Sequence, residues 1–513
     1  MDLHVVGPLA SPAERAAVDA VLGPPTSGWH GVGRDARTEG HAARGGHEAR
    51  SRRDLLLPAL HALQDRVGHI SQPGLGHVSR RLSVPPAEAY GVATFYALLA
   101  TQARPPAVAH VCDDIACRLA GAEGLIADAE RALGPAGHPA RDGRMTWLRS
   151  PCLGLCERAP AALVTIAGDV PHREAIAPAD AAAVLAGLER GGAPHDRGGS
   201  SGQVQFAAEA RAAVPQLADP SGRASLRLLS RVGRVDPTSL DEYRSHGGYA
   251  ALANALRMGP EATIAEVTDS KLVGRGGAAF PTGRKWSAVA AQLAQPHYVV
   301  CNADESEPGT FKDRIVMELD PFAVVEAMTI EGFATGSARG YLYIRGEYPL
   351  AESRIANAIE AARAAGYLGS DVSGSGWGFD LELRRGAGAY ICGEETALFE
   401  SIEGRRGEPR NKPPFPVEYG LFGKPTAINN VETLANVLLV LGDGPGPDGR
   451  EAHGVGGGAR YAATGTAGSA GPKLFCLSGH IARPGLYEVS FGTTLRELID
   501  LGGGVPGDRA IRA

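Results

Sequence analysis

Four cysteines in the first third of the chain form two pairs whose spacing is typical of metal ligands. Cys112 and Cys117 are separated by four residues in VCDDIAC, and Cys152 and Cys156 by three residues in PCLGLC. Each pair follows a strand-like segment, so we expect both pairs in loops at strand ends, where four thiolates can converge. Thiolates favour an iron-sulfur cluster or zinc, and zinc ribbons usually have two-residue spacers. The spacing therefore favours a 2Fe-2S cluster, and two disulfides or four buried thiols are the alternatives.

A glycine-rich loop, VGRGGAAFPTGRKW at residues 273–286, has the composition of an anion-binding loop. It fits neither the G-x-G-x-x-G pattern of dinucleotide-binding turns nor the lysine-hydroxyl ending of a P-loop. Its glycines and cations are Gly274, Arg275, Gly276, Gly277 and Lys285. Glycines let the backbone approach a ligand closely, and the cations add positive charge. The loop suits a flat anionic ligand, and an ordinary turn is the alternative.

Three further segments place polar side chains where α/β sheets usually bind ligands. The apolar strand of HYVVCNADESEPGTFKDR ends in an acidic loop, GAGAYICGEETAL offers Tyr390 for stacking, and AINNVETLANVLLVL has Asn429 and Glu432 in the relation of a capping box. A capped helix with free N–H groups is also an anion site. The alternatives are a solvated acidic surface, a core tyrosine and an ordinary helix cap.

Composition and periodicity divide the chain into five stretches. At 513 residues, with 44% hydrophobic and 21% charged residues, the chain should form several domains. Helical spacing of apolar residues begins at Leu56, and strand and helix signals then alternate. We predict a disordered tail at 1–50, a metal-binding domain with N-terminal helices at 51–187, a linker at 188–225, a ligand-binding α/β domain at 226–445 and a hairpin-helix segment at 446–513.

Charge and hydropathy exclude two classes of partner. The formal net charge of −6 argues against nucleic acid. No apolar run is long enough for a direct membrane span, and the first residues lack the pattern of a secretion signal. We therefore expect a cytoplasmic protein, attached to a membrane, if at all, through partner subunits.

Long blocks of the chain resemble two subunits of the respiratory NADH dehydrogenase, complex I. Residues 52–185, with DLLLPALHALQDRVGHI, VPPAEAYGVATFY and both cysteine pairs, resemble its thioredoxin-like 2Fe-2S subunit. From about residue 240 the chain resembles the flavoprotein subunit, through VGRGGAAFPTGRKW, NADESEPGTFKDR, GAGAYICGEETALFESIEGRRGEPRNKPPFP and TAINNVETL. Fusion of the two is similar to the diaphorase (beta) subunit of NAD-dependent formate dehydrogenases and of some NAD-reducing hydrogenases.

The resemblance implies a multidomain α/β fold. A helical preface and a thioredoxin-like 2Fe-2S domain would precede a Rossmann-like FMN-binding α/β domain and the start of a ubiquitin-like (β-grasp) soluble-ligand-binding domain. The implied cluster ligands are Cys112, Cys117, Cys152 and Cys156.

The resemblance also implies residue roles around FMN and NAD(H). The backbone of the glycine-rich loop would line the FMN pocket, together with Asn302, Asp304, Glu305, Gly393, Glu394, Asn429, Asn430 and Thr433. Phe280, Lys285, Lys412 and Phe415 would sandwich and neutralise the dinucleotide. Glu307 would lie beside the nicotinamide, and Tyr390 and Glu395 would contact the nucleotide, which makes these three the predicted catalytic residues.

The implied activity is that of an NADH dehydrogenase (diaphorase) module. NADH would pass a hydride to FMN, and FMN would pass single electrons to iron-sulfur clusters. The implied partner is an iron-sulfur subunit of a larger complex: formate dehydrogenase alpha, a hydrogenase or the large iron-sulfur subunit of complex I. The alternative is a flavin-free 2Fe-2S adapter whose large domain is a docking platform.

Two departures from the resemblance stand out. The family usually has glycine where this chain has Ala279, and the added methyl group would narrow the loop. The flavoprotein family also carries a C-terminal C-x2-C-x2-C motif for a 4Fe-4S cluster, and no such motif occurs in these 513 residues. We therefore expect the chain to be a fragment of a longer protein.

Overall fold

The computed structural model describes most of the predicted domains and little of the predicted tail and linker. The described residues are 7–24, 49–190, 202–218, 226–442, 444–445, 451–452, 456–507, 509 and 511.

The predicted tail contains a helix, so the prediction of disorder over residues 1–50 is wrong in its N-terminal part. Helix α1, Pro12–Leu22, begins at a capping box in which the side chains of Ser11 and Glu14 bond each other's backbone N–H groups. Its apolar stripe is buried against the helices that follow. Most of the other tail residues lie outside the described part of the chain.

Three helices follow where apolar periodicity predicts them. They are α2, Leu56–Val67, α3, Gln72–Leu82, and α4, Pro86–Ala93. Helix α2 ends at Gly68, whose φ of +86° terminates the helix in the left-handed conformation that glycine adopts without strain.

The next domain is a small α/β unit with a mixed four-stranded sheet. Its elements are β1, Ala107–Cys112, α5, Ile115–Leu119, α6, Ala122–Leu133, β2, Met145–Ser150, β3, Ala162–Ile166, β4, His172–Ile176, and α7, Ala181–Glu189. The strand order is β2-β1-β3-β4, with β1 and β2 parallel and the other pairs antiparallel. The carboxyl ends of β1 and β2, which carry the cysteine pairs, therefore share one edge.

The predicted linker is partly structured, which corrects the boundary at 188–225. Helix α8, Gly202–Ala213, and the turn after it end in residues buried in the core of the large domain. Alanine is the best helix former, and the alanine-rich sequence QFAAEARAAV fits this outcome. Residues 191–201 and 219–225 lie outside the described part.

The large domain is built on a second four-stranded sheet. Its elements are α9, Leu240–Ser245, α10, Ala250–Met258, α11, Pro260–Asp269, α12, Thr282–Ala290, β5, Tyr298–Ala303, α13, Lys312–Leu319, α14, Pro321–Thr335, β6, Arg339–Ile344, α15, Pro349–Ala364, β7, Asp380–Arg385, α16, Glu395–Ile402, α17, Pro416–Tyr419, β8, Thr426–Asn430, and α18, Val431–Leu441. The strand order is β7-β6-β5-β8 and all three pairs are parallel. Mixed α/β architecture is confirmed.

The two faces of this parallel sheet are covered by distant parts of the chain. On one face, alternate residues of β5 and β6 pack with α14 and α18 in the largest buried cluster. On the other face, Val300, Tyr341 and Ile428 share a cluster with α1–α4. Ser401 joins Tyr96 and Tyr343 by hydrogen bonds of 2.6 and 2.8 Å in this second cluster. The N-terminal helices therefore complete the core of the large domain.

The C-terminal segment forms the predicted hairpin and helix. Its elements are β9, Gly444–Pro445, β10, Glu451–Ala452, α19, Gly457–Ala462, β11, Gly465–Thr466, β12, Ser469–Ala470, β13, Pro472–Leu477, β14, Gly485–Ser490, and α20, Leu495–Leu501. The carboxylate of Glu488 in β14 is buried and accepts the backbone N–H groups of residues 227–229. These bonds fasten the hairpin to the start of the large domain. Within the described residues, every helix is too short or too polar to cross a bilayer.

Replacement of Leu60 by alanine tests whether the N-terminal helices stabilise the parallel sheet. Leu60 is fully buried in the cluster that the helices share with the sheet. We expect Leu60→Ala to lower the free energy of unfolding by about 2–5 kcal/mol and to weaken hydrogen-exchange protection in β6. Leu293, which is 97% exposed, supplies the control Leu293→Ala. Unchanged protection in β6 would contradict a shared core.

Candidate functional site

The acidic loop after β5 and the asparagine pair that ends β8 lie together at one edge of the parallel sheet. Asn302 is directly opposite Asn430, and Cys301 is opposite Asn429. Asp304 follows β5 at the same edge. Parallel pairing brings the carboxyl ends of strands together, and ligands of open α/β sheets bind at these ends. The fold therefore unites two of the predicted ligand segments.

The glycine-rich loop covers this edge at the start of α18. The backbone N–H of Arg275 donates to Oγ1 of Thr433 at 2.8 Å, and a Cβ on Gly276 would lie 3.1 Å from Cβ of Asn430. Glycine permits the loop to lie this close. Gly277 has a φ of +120° and open space where a side chain would project. The loop thus presents bare backbone at the edge where the two strands end.

A tight turn closes the loop between Gly274 and Phe280. The N–H of Gly274 donates to the carbonyl oxygen of Phe280 at 2.9 Å. Ala279 in this turn has a φ of +52°, a left-handed conformation that raises the energy of an alanine by about 1–2 kcal/mol. The backbone conformation explains why the family resemblance led us to expect glycine at this position.

The side chain of Arg275 contacts the C-terminal segment, which corrects its predicted role as a cation for the ligand. Its guanidinium donates to the hydroxyl of Tyr461 at 3.1 Å and to the carbonyl oxygen of Ala470 at 2.6 Å. It also lies 4.6 Å from the ring centre of Phe491. Only the backbone of Arg275 therefore belongs to the loop's ligand-facing surface.

Asn430, and not Asn429 as predicted, caps helix α18. Oδ1 of Asn430 accepts the N–H of Glu432 at 3.0 Å, whereas the amide of Asn429 donates to the buried carboxylate of Glu331. With Asn430 as the cap, Glu432 is the second helical residue and not the third, so it does not close a capping box. Its carboxylate accepts from Nζ of Lys473 at 2.5 Å. The C-terminal hairpin thus contacts the first turn of this helix.

Lys312 is a buried cation at the same helix N terminus that sequence reasoning missed. Its Nζ lies 3.1 Å from Oδ1 of Asn430, 2.7 Å from Asp313 and 3.1 Å from Glu432. Burial alone would lower the pKa of Lys312, but the two carboxylates raise it above its ordinary value. The two carboxylates balance the charge of Lys312, and the N–H groups of the first helical turn favour a bound phosphate. The sequence signal that could have identified Lys312 is its position inside the block NADESEPGTFKDR, which carries the family resemblance.

The segment between β7 and α16 forms the facing wall of the site. Nδ2 of Asn302 donates to the carbonyl oxygen of Gly393 at 2.8 Å, and a Cβ on Gly393 would lie 3.2 Å from the carbonyl oxygen of Asp304. Glu394 caps α16 by accepting the N–H of Thr396 at 2.8 Å. The third predicted segment is therefore in direct contact with the acidic loop.

Charged side chains pair at the outer surface of this wall. Nζ of Lys412 donates to Glu394 at 2.9 Å and to Glu395 at 2.6 Å. Burial alone would lower the pKa of Lys412, but these bonds raise it. The hydroxyl of Tyr390 donates to Oε2 of Glu307 at 2.6 Å. The three predicted catalytic residues are thus exposed or half-buried and accessible to a ligand from solvent.

Three large aromatic side chains near these groups are exposed. Phe280 is 44%, Tyr390 61% and Phe415 54% exposed. Nζ of Lys285 lies 6.0 Å from the ring centre of Phe280 and donates to the carbonyl oxygen of Ile428 at 2.6 Å. Exposed aromatic rings beside a cation suit a planar, negatively charged ligand.

Burial raises the pKa of three carboxyl groups around the site. The pKa rises to about 7 for Asp304 and Glu305 and to about 8 for Glu331. Glu305 is buried and accepts the N–H groups of Asp313 and Arg314 at 2.9 and 3.0 Å, so it caps α13 rather than facing the open side. Carboxyl groups that titrate near neutrality are typical of functional sites.

The residues at this edge fit FMN. Bare glycine backbone at Gly277 admits a ligand, and the N terminus of α18 beside Lys312 suits a phosphate. Asn302 and Asp304 lie at the carboxyl end of β5, and the carboxyl group of Asp304 is buried there. These residues are compatible with a ligand that has a flat ring and a phosphate.

The four predicted cluster ligands converge at the edge shared by β1 and β2. All four are buried free cysteines. Sγ of Cys152 lies 3.4 Å from Sγ of Cys156, and Cys112 is within hydrogen-bonding reach of both Cys117 and Cys152. The hydrogen bonds among these thiols lower the pKa of Cys152 and raise that of Cys112, which shows that the side chains interact directly. Two adjacent thiol pairs fit a 2Fe-2S cluster, with two ligands for each iron.

The second cysteine loop rests on the flavin-site loop. Arg345, which follows β6, donates to the carbonyl oxygen of Cys152 at 2.6 Å and to that of Glu305 at 2.5 Å. Gly154 has a φ of +67°, and a Cβ there would lie 2.1 Å from the hydroxyl oxygen of Tyr348. One buried guanidinium thus joins the backbone of the two sites.

A buried ion-pair network holds the same contact from the other side. Nε of Arg314 donates to the carbonyl oxygen of Gly154 at 2.9 Å. The guanidinium also pairs with Glu157 and, at 2.7 Å, with Glu318. Burial alone would lower the pKa of Arg314, but both carboxylates raise it. Sequence reasoning did not identify Arg314 or Arg345, because nothing in the sequence marks contacts between distant loops.

Comparison with protein families divides the chain in the same way. Residues 44–189 match the thioredoxin-like [2Fe-2S] ferredoxin family, residues 267–439 the Nuo51 FMN-binding domain, and residues 474–512 the SLBB domain.

One relative aligns with most of the chain. The NAD-reducing hydrogenase HoxS subunit alpha of Cupriavidus necator is 34% identical over 456 residues, which cover 88% of this chain and 70% of that protein. The chain belongs to the HoxS alpha-subunit family. A solved NAD+-reducing [NiFe]-hydrogenase has a similar chain, with a TM-score of 0.71 and 31% identity, covering 89% of this chain and 70% of that one.

The chain is also similar, over about half of its length, to subunits of other enzymes. An NADH-quinone oxidoreductase subunit of Aquifex aeolicus is 50% identical over 287 residues, which cover 56% of this chain. The chain spans 64% of the length of that relative, and 56% of subunit HndC of the NADP-reducing hydrogenase of Solidesulfovibrio fructosivorans. The HoxS alpha-type chain thus combines a 2Fe-2S ferredoxin domain with an FMN-binding domain, as predicted.

Replacement of Gly154 by alanine tests the contact between the cysteine loop and the flavin-site loop. The added Cβ would collide with Tyr348, and alanine is strained at a φ of +67°. We expect Gly154→Ala to lower the free energy of unfolding by about 2 kcal/mol or more and to change the electron paramagnetic resonance spectrum of the reduced cluster. Gly168, with no atom near its Cβ position, supplies the control Gly168→Ala. An unchanged spectrum in Gly154→Ala would show that the contact is loose.

Replacement of Asp304 by asparagine tests the burial of this carboxyl group through pH. The pKa of Asp304 is about 7 in the folded protein and 3.8 without burial. Between pH 4 and 7 the folded protein therefore keeps this proton, whereas the unfolded chain has lost it. Stability therefore falls as the pH rises through this window. We expect the gain in unfolding free energy from Asp304→Asn, measured on flavin-free protein, to grow by about 3 kcal/mol between pH 5 and 8. A gain that does not change with pH would exclude the raised pKa.

Proposed function

We propose that this chain is a diaphorase module that exchanges a hydride between NAD(H) and FMN and passes single electrons to the 2Fe-2S cluster. The observation that carries the proposal is the bridge of Arg345, which holds the cysteine loop against the loop that lines the flavin site. The printed names of the relatives, an NAD-reducing hydrogenase subunit and an NADH-quinone oxidoreductase subunit, support the same chemistry.

The residues at the parallel-sheet edge would hold FMN in three ways. The N terminus of α18, with Asn430, Thr433 and the nearby Lys312, would bind the phosphate. The backbone of the glycine-rich loop and of Gly393 would line the ring. Asn302 and Asp304 would bind the ribityl chain and the ring edge. Bound FMN supplies the redox chemistry, since it accepts a hydride and releases single electrons.

The exposed residues would bind and orient NAD(H). The rings of Phe280 and Phe415 would stack on the dinucleotide, and Lys285 and Lys412 would neutralise its phosphates. Glu307, held by the hydroxyl of Tyr390, would position the nicotinamide. Hydride transfer requires stacked rings and no protein nucleophile, so these residues act by orientation.

The electrons would leave through an iron-sulfur subunit of a larger complex. The relatives are named as subunits of hydrogenases and of NADH-quinone oxidoreductases. We place the module in the cytoplasm, bound to such a partner. The similarity to formate dehydrogenase beta subunits stays a prediction.

Purified protein separates this proposal from a flavin-free adapter. We expect a yellow protein with one FMN per chain and with NADH-ferricyanide activity. We expect Glu307→Ala to lower kcat/KM for NADH about tenfold or more and to leave FMN bound, because Glu307 lies on the exposed side of the site. The control Glu360→Ala removes an exposed carboxylate that pairs with Arg363.

Two results would count against the assignment. Iron-sulfur absorbance without retained flavin would support the adapter. Loss of FMN from Glu307→Ala would show that Glu307 holds the flavin and not the nucleotide.

A further inference from the structure

A small cavity lies where the ferredoxin domain, the N-terminal helices and the parallel sheet meet. Its volume is about 40 Å³, and since about 10–15 Å³ suffices for one water molecule, it has room for about three water-sized groups. Charged and imidazole side chains from α2, β1, β4, the end of β7 and the loop before β1 line it: His61, Asp65, Arg104, His110, His172, Arg173 and Arg385. None of these residues belongs to the flavin or cluster sites described above.

Arg104 is a half-buried cation in this lining without an acidic partner among the described residues. Its Nε donates to the carbonyl oxygen of Gly68 at 3.1 Å. Burial lowers the pKa of Arg104 to about 10, and no carboxylate in the described part of the chain acts in the opposite direction. A charge removed from water normally pairs with an opposite charge. The surroundings of Arg104 therefore lack an anion.

Two further polar groups in the lining have no hydrogen-bond partner within the described structure. Arg173 donates to Glu352 at 2.8 Å, but its Nη1 is buried and unpaired. His110 is 4% exposed, and its Nε2 is also buried and unpaired. A buried donor without an acceptor destabilises a fold. These atoms come from two strands of the ferredoxin domain that contribute to the same cavity.

Two of the three arginines in the lining are paired with carboxylates. Asp65 accepts from Arg385 at 2.7 Å and Glu352 accepts from Arg173 at 2.8 Å, which leaves the positive charge of Arg104 unbalanced among the described residues. Burial, Arg385 and Arg173 together lower the pKa of His61 well below its ordinary value. The histidine is therefore neutral and does not compete with the arginines for an anion.

We propose that this cavity binds a tetrahedral oxyanion, inorganic phosphate or sulfate, between Arg104, Arg173 and His110. Guanidinium groups match oxyanions through parallel N–H···O bonds, and such charge-assisted bonds are stronger than neutral ones. A tetrahedral oxyanion offers acceptors on every side, which matches the unpaired Nη1 of Arg173 and the N–H form of Nε2 of His110. The inference does not depend on the proposed diaphorase activity.

The bound anion would fasten the ferredoxin domain to the parallel sheet. Arg173 and His110 belong to the ferredoxin strands, whereas His61 lies on α2 and Arg385 ends β7. A ligand that binds only the folded arrangement raises its stability by mass action. The site would therefore stabilise the same domain contact that brings the cysteine loop to the flavin site.

Phosphate titration of the full chain with its cofactors tests the proposal. Sodium phosphate replaces sodium chloride at constant ionic strength and pH, and thermal unfolding and the 31P line width of added phosphate are measured. We expect a saturable rise in Tm and line broadening. We expect Arg104→Gln to weaken phosphate binding about tenfold or more, because a lost charge-assisted hydrogen bond exceeds the 1.4 kcal/mol that corresponds to tenfold.

The matched control is Arg66→Gln on α2. Arg66 pairs with the exposed Asp169 at 2.5 Å, outside the cavity, so this variant should bind phosphate as the unchanged protein does. General stabilisation by phosphate as an excluded salt would act equally on all variants. An equal and unsaturable rise in Tm in all three proteins would therefore overturn the proposal.

The measurement on the unchanged protein keeps the proposal testable if Arg104→Gln does not fold. Absence of 31P line broadening of added phosphate would overturn it without any variant, and sulfate should reverse the broadening by competition. Arg104→Lys keeps the charge and loses the planar fork, so weaker but saturable binding is the expected result. Cluster absorbance and bound FMN, measured in the same samples, report separately on the proposed redox function.

Discussion

Parallel strand pairing is the constraint on which both sites of this chain depend. In the large domain, pairing of β5 with β8 brings the acidic loop and the asparagine pair to one edge. In the ferredoxin domain, pairing of β1 with β2 brings both cysteine pairs to one edge. Parallel strands end on the same side, and their carboxyl ends are free of further strand hydrogen bonds. Each site is therefore a set of loops that a sheet edge gathers.

The parallel sheet is buried on both faces, which ties distant parts of the chain into one core. Parallel sheets occur almost only with both faces covered, since their strands are apolar on both sides. Here α14 and α18 cover one face and the N-terminal helices cover the other. The helices that precede the ferredoxin domain are thus part of the core of the FMN-binding domain. This shared core gives a physical reason for the two domains to occur in one polypeptide.

Buried charges between the loops define how the two sites are oriented. Arg345 and Arg314 bind backbone carbonyl groups of the cysteine loop, and carboxylates neutralise both guanidinium groups. Charges in a dry contact require good geometry, because their desolvation must be offset by well-placed partners. Lys312 and Glu432 form another buried ion pair at the N terminus of α18. The network therefore favours one arrangement of the loop with Cys152 and Cys156, the loop after β5 and the C-terminal hairpin.

The sequence by itself determined the residue types that local chemistry requires. Cysteine spacing, dense glycines and apolar periodicity act over a few residues, so the two cysteine pairs, the glycine-rich loop and the helices from Leu56 onward were predictable. Tertiary structure alone decided the contacts between residues far apart in the chain. It assigned the helix cap to Asn430, turned the side chain of Arg275 towards the C-terminal segment, and placed Arg345 between the two sites. Such choices depend on which buried partner is nearest in space, and no local pattern encodes that distance.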